Sequence, residues 1–513
     1  MNTVLKLLVG LVVPVLALTG CTATPEVQAA PTTSVAAAES SEPEVVSCDP
    51  PEVDPLTLLG DASMNSFLAT CPTDKTTPEI ALAALDTATE LEPCMLVEVN
   101  EERERYKDNT TGFPRATDPY RLKDGKYKVM VIPVDWPDLK DEVDPMSFLP
   151  EAASMYSKWY EAYSGGRLTL DIEVYPEWIE MATESEKFSQ SEFEQNANQW
   201  GDSNRAKIDF FWNQALGAAD PLVDFTGVEI VMFVVPRFQD VISEFNLWPP
   251  GNGSFQTDEA VIERGFTPGS FHFRPDNQLW AFWVHETLHY LKMPDLYWVD
   301  LNSFRAQPTT FPAPNYGYDV LNTANELRRI NSWLLWLMDW LDPNELSCYT
   351  AETFVDGSVE IASNHIQDDR TKAVMLKLSE HELLLIESHR LTEFDAPMNR
   401  SRDGVLIQYV DTHIPHGQGA MTILAPKGRT LLQVSMPGGN QEQVLDAVFY
   451  EGNSIDIAGY HITVNQANED SDLVSISKIP DWVSGSVPEY VCINMENRER
   501  NIDPENMTCP LVF

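Results

Sequence analysis

The sequence predicts an α+β chain in which a mixed sheet interleaved with helices gives way to a β-rich, sandwich-like part. Three observations carry this prediction. Strand-like apolar runs alternate with helical patterns from Gly125 to Leu341. One helix in that stretch, LWAFWVHETLHYL (Leu279 to Leu291), carries two histidines a single turn apart. Beyond Pro343 the pattern changes to short runs separated by Gly, Asn, Asp and Pro, as strands require.

The elements follow in order. Lys6 precedes an apolar run from Leu7 to Leu18, which is shorter than the about 20 residues of a spanning helix. Leu18-Thr19-Gly20-Cys21 then resembles the bacterial lipoprotein signal, which is cut before a cysteine that carries the lipid. Residues 1–20 are therefore expected to be a signal peptide, with Cys21 anchoring an exported chain to the outside of a bilayer. An ordinary cleaved signal with a chance cysteine is the alternative. Residues 21–48 are rich in Ala, Thr, Ser, Pro and Glu and read as a flexible tether. Residues 49–124 form an N-terminal subdomain or a pro-segment, with short helical stretches such as Pro78 to Leu91.

Residues 125–345 read as one domain of alternating strands and helices. Tyr127 to Val134, Leu168 to Val174 and Val228 to Val235 are its strands. Pro150 to Tyr163, ended by Gly165-Gly166, is a helix, as are Ile208 to Leu216 and Asn325 to Leu341. Residues 346–480 read as the β-rich domain, with runs at Val359 to Ala362, Ala373 to Leu378, Leu383 to Glu387, Val405 to Val410 and Ile462 to Val464. Residues 481–513 are a cysteine-containing tail.

Composition narrows the partners. Seventy-nine acids against 34 bases give a formal net charge of -45, which argues against nucleic acid. Without Cys21, six cysteines remain: Cys48, Cys71, Cys94, Cys348, Cys492 and Cys509. In an oxidising compartment an even number favours three disulfides, with Cys492 and Cys509 placed to close a local loop. Cys71 or Cys94 as a thiolate cap on a metal is the less favoured alternative.

The chemistry concentrates in the helix from Leu279. Trp280, Val284, Leu288 and Leu291 share a face that docks it on a core. His285 and His289 lie one above the other on a neighbouring face, where two nitrogens can grip one zinc ion at about 2.0–2.1 Å. Glu286 is offset around the helix and can reach the ion's water as general base without being a ligand. Asp295 follows six residues after His289, beyond a turn in which Pro294 prevents the helix from resuming, and can supply the third ligand.

At this point the chain resembles the immune inhibitor A-type metallopeptidases, a branch of the metzincin-like zinc proteases. HETLHYLKMPDLY (His285 to Tyr297) resembles their H-E-x-x-H-x-x-G-x-x-D stretch, and YGYDVLN (Tyr316 to Asn322) their Met-turn. YKVMVIPVDWPD (Tyr127 to Asp138) and WYEAYSGGRLTL (Trp159 to Leu170) resemble the opening strand and the helix-to-strand stretch. INSWLLWLMDWLDP (Ile330 to Pro343), LLLIESHR (Leu383 to Arg390) and GVLIQYVD (Gly404 to Asp411) extend the likeness, which runs roughly from Gly125 to Ile479. The resemblance implies a zincin-like fold and zinc-dependent cleavage of extracellular protein or peptide. Lys292 stands where the family has glycine, and Leu321 where it has the Met-turn methionine. Tyr316 and Tyr318 are candidates to hydrogen-bond a transition state, although aromatic packing around the turn is the favoured reading. The acidic run Asn468 to Asp472 lacks the glycine-centred spacing of a calcium loop and reads instead as a solvated β-turn. Two other functions compete: a surface binding or adhesion protein on a decayed protease scaffold, and a zinc amidase acting on a cell-wall component.

Overall fold

β-Branched and apolar residues on both faces make Gly125–Asp135 the first strand, β1, of the computed structural model. Described are residues 82–85, 90–99, 109–115, 124–188, 200–237, 255–267, 279–296, 318–322, 327–395, 403–414, 420–424, 426, 431–436, 439–444 and 447–480. All of them belong to one unit, Glu52–Phe513. The expectations for the signal peptide, Cys21, the tether, Tyr316, Cys48, Cys71, Cys492 and Cys509 lie outside the described residues.

After β1 come α1 (Leu149–Tyr163), β2 (Leu168–Val174), β3 (Ile179–Glu180), α2 (Trp200–Ala219), β4 (Ile230–Val234), β5 (Phe255–Gln256), β6 (Val261–Ile262), β7 (Gly265–Phe266) and α3 (Leu279–Leu288). Gly165 and Gly166, at φ 62° and 73°, end α1 in the left-handed region, as the sequence predicts. The first sheet has the order β2-β1-β4-β7, with β3 also on β1. A mixed sheet is expected from the sequence, but every described pairing here is parallel. The connection through α1 carries the chain back over the sheet, so β2 runs in the same direction as β1. Both faces are covered, which explains the continuous apolar runs. Val129 and Val131 join a core with α1 and α3, while Met130 and Ile132 join another with Phe211 and Trp212 of α2.

The second half adds α4 (Ser332–Leu337), β8 (Leu346–Tyr349), β9 (Gly357–Ala362), β10 (Ala373–Lys377), β11 (Glu382–His389), β12 (Gly404–Asp411), β13 (Met421–Leu424), β14 (Leu431–Met436), β15 (Gly439–Val444), β16 (Ser454–Ile457), β17 (Tyr460–Ala467) and β18 (Ser471–Lys478). One sheet has the order β13-β12-β11-β10-β8, and another β16-β17-β18-β9. The first of these is a wall with two apolar faces. Val374, Leu376, Leu384 and Ile386 pack toward Ile462, Val474 and Ile476 of the other sheet. Met375, Leu383 and Leu385, one residue out of phase, join Trp283 and Leu334 in the helical core. The part that carries α3 and the β-rich part therefore share one core.

Three expectations are corrected. Asn325 to Leu341 reads as one helix, yet α4 begins only at Ser332. Asn331 is extended and caps α4, its side-chain oxygen accepting from Leu334 N–H at 3.0 Å. The helix cannot run to Leu341, because Asp339 is left-handed at φ 58°. Within the helical stretch expected at Pro78 to Leu91, residues 82–85 lie along β9 instead. There Leu85 N–H donates to Ser358 O, and Ser358 N–H to Ala83 O, each at 2.8 Å. The acidic run is not uniformly solvated, since Asp472 is sealed in and paired with Arg390 at 2.8 Å. Asp470, at the turn, pairs with Arg370 at 2.6 Å.

Candidate metal centre

Every residue of α3 is buried, not one face alone, because the helix lies inside the core that it shares with α1, β1 and the wall sheet. Thr287, an unassigned position of the motif, fastens it. Its hydroxyl lies 2.6 Å from Tyr160 Oη and 3.1 Å from Tyr156 Oη, both on α1. It also donates to Trp283 O at 2.7 Å. The Phe282 ring lies parallel to His285, at 3° with centroids 6.3 Å apart.

The helix tightens into a 3₁₀ turn over His289–Leu291, and Lys292 then reverses the chain at φ 63° and ψ 24°. This is the left-handed conformation, which a residue with a Cβ adopts at a cost. The reversal brings Asp295 back onto the histidines. Asp295 Oδ1 lies 3.2 Å from His285 Nε2 and 3.2 Å from His289 Nε2. A tetrahedral ion with bonds of about 2.0–2.1 Å holds its ligand atoms about 3.3–3.4 Å apart, so this spacing suits one ion between them.

The other ring nitrogens complete the fit. His285 Nδ1 donates to Val320 O at 2.7 Å, and His289 Nδ1 to Met293 O at 2.9 Å. Each bond places the ring proton on Nδ1 and leaves the Nε2 lone pair directed at Asp295, the arrangement a metal ligand needs. Without an ion the negative charge acts on a proton instead. Burial works against charging His289, but facing Asp295, with Glu286 and the Met293 carbonyl, outweighs it and pushes the pKa up to about 9. That proton must leave before Nε2 can bind a metal. Among the described residues, His285, His289 and Asp295 are the group able to hold a metal ion.

Glu286 stands beside the triad without joining it. Its Oε1 is 4.0 Å from His285 Nε2, and the side chain is largely buried.

The floor is the turn 318–322. Leu321 is completely buried, and its carbonyl accepts from Leu296 N–H at 3.0 Å. Asp319 ties this turn to the start of α4, accepting from Leu321 N–H at 2.9 Å, Asn331 N–H at 2.8 Å and Asn331 Nδ2 at 2.9 Å. Burial, set against these donors, raises the Asp319 pKa to about 6. Asp319 and Asn331 are supporting residues that the sequence reading passes over. Asn331 ahead of SWLLWL was legible as a helix cap. Tyr318 Oη accepts from Ala447 N–H at 3.1 Å, and its ring packs on His389 with centroids 5.5 Å apart. Cys94 is not a thiolate cap, because it forms a disulfide with Cys348 on β8.

Compared with models of known protein families and with curated proteins, the chain gives no match. Fold and site together define an α+β protein with a His-His-Asp triad that could hold a metal ion. The family likeness rests on the motifs quoted above.

Proposed function

We propose that the chain is an extracellular zinc endopeptidase with a zincin-like, immune inhibitor A-type catalytic domain, tethered to a bilayer by lipid on Cys21. The observation that carries the reading is the convergence of His285 Nε2, His289 Nε2 and Asp295 Oδ1 beside Glu286. Two imidazoles and one carboxylate are the donor set of a catalytic zinc site, with a fourth position left for water. Zinc held there would supply a Lewis acid, lowering the pKa of water and polarising a peptide carbonyl. His285 and His289 hold their Nε2 atoms in place through the Val320 and Met293 carbonyls. Glu286 takes a proton from the attacking water and delivers it to the leaving amine nitrogen. Its partial burial keeps bulk water from competing for that proton.

Among the described residues no helix is long and apolar enough to cross a membrane.

Glu286→Gln tests the reading. Cleavage of unfolded casein should fall by about 10²–10⁴-fold while zinc content and melting temperature stay at wild-type values. Wild-type cleavage by this variant would overturn the mechanism. Zinc bound without cleavage of any protein by the unmutated chain would favour the adhesion reading, or the amidase reading if wall fragments are hydrolysed.

A further inference from the structure

Asn109 to Arg115 lies directly against the turn that carries Asp295. Three successive carbonyls of that turn are held from this segment. Leu291 O accepts from Arg115 Nη2 at 2.8 Å, and Lys292 O from Thr110 N–H at 2.7 Å. Met293 O accepts from Asn109 Nδ2 at 3.4 Å, and it is this carbonyl that fixes His289. Arg115 also donates to Leu337 O of α4, while Trp333 Nε1 donates to Thr111 O at 2.9 Å.

The segment is itself clamped. Glu98 accepts from the N–H groups of Thr111 at 2.5 Å and Gly112 at 2.7 Å, and Phe113 N–H donates to Leu96 O at 2.6 Å. A Cβ on Gly112 would stand 2.8 Å from Leu96 O and 2.9 Å from Glu98 N, so the two stretches meet this closely only because the residue is glycine. Just upstream, Cys94 is sealed in the core and joined to Cys348 of β8.

We propose that residues 94–99 and 109–115 are a permanent strap of the metal centre, stapled by the Cys94–Cys348 disulfide, and not part of a removable pro-segment. Asn109, Thr110 and Arg115 are its positioning residues. They hold the carbonyls of the Lys292 turn so that His289 and Asp295 stay in register for the ion, and metal affinity therefore depends on a covalent bond distant in sequence. This inference rests on the triad being a metal centre.

The test uses the full chain and zinc alone, titrated against a chromophoric chelator, with the visible spectrum of the cobalt form as a second readout. Cys94→Ala/Cys348→Ala and Arg115→Ala should each weaken zinc binding tenfold or more and alter the cobalt spectrum. Arg115→Lys should recover part of the loss, and the metal-free variants should still unfold cooperatively. Wild-type zinc affinity in both variants would overturn the strap, as would active chains beginning after residue 115 with undiminished affinity. If the cysteine variant fails to fold, the Arg115 pair decides. An unmutated chain that binds no zinc would instead sink the metal reading itself.

Discussion

Lys292 adopts a left-handed conformation that costs a side chain with a Cβ about 1–2 kcal/mol. Glycine would remove that cost but would lose more freedom on folding, which offsets about 0.4–1 kcal/mol of the gain. Lys292→Gly should therefore stabilise the protein by about 0–1.6 kcal/mol, measured as a shift in the urea midpoint with unchanged slope. Destabilisation by this change would mean that the lysine stem contributes packing. Legibility at this scale followed sequence distance. His285, Glu286 and His289 could be read directly, because helical geometry alone brings residues four apart together. Asp295 required a turn whose shape no local rule guarantees, yet the six-residue spacing and Pro294 were enough to place it. The partners of the two Nδ1 atoms could not be read, since Val320 and Met293 contribute main-chain carbonyls that carry no residue-specific signal.

At the scale of elements, α4 shows why apolar content and helix length are different quantities. Residues 327–341 are dense in Leu and Trp, but the chain is extended through Asn331, where it meets buried acids. Arg329 pairs with Glu387 at 2.7 Å, Asn331 with Asp319, and Ser332 N–H with Glu387 at 2.9 Å. Those partners lie 55 or more residues away for Glu387 and so are invisible to a local window. Asn331→Ala would remove the cap of α4 and one donor to buried Asp319, a loss of about 2–4 kcal/mol. Because Asp319 also holds Leu321, zinc affinity should fall with stability. A drop in melting temperature with unaltered zinc binding would show that the floor is independent of the cap. The sequence places the strand at Leu168–Val174 to the residue but not β18, whose alternation in SDLVSISK rests on Val474 and Ile476 alone and whose pairing partners are β17 and the distant β9.

Over the whole molecule, the sheet β13-β12-β11-β10-β8 belongs equally to the helical core and to the second sheet. The change of pattern at Pro343 is real in the sequence and suggests two domains, yet the apolar alternation of β10 and β11 serves both sides. No interior can lose order without uncovering the other. Scanning calorimetry of the metal-free chain should accordingly give one transition for residues 125–480, with calorimetric and van't Hoff enthalpies in agreement. Two resolved transitions would mean that the halves are energetically separate. Two ionic pairs are buried where the wall meets its neighbours: Arg329 with Glu387 of β11, and Arg390, just after β11, with Asp472 of β18.

The bond between Cys94 and Cys348 spans 254 positions of the chain. During synthesis at roughly 5–20 residues per second, the first thiol would wait about 13–50 s before its partner exists. Throughout that interval Cys71 is a nearer mate. Correct closure therefore comes after most of the polypeptide has been made, and an early pairing would have to be exchanged before the molecule could mature.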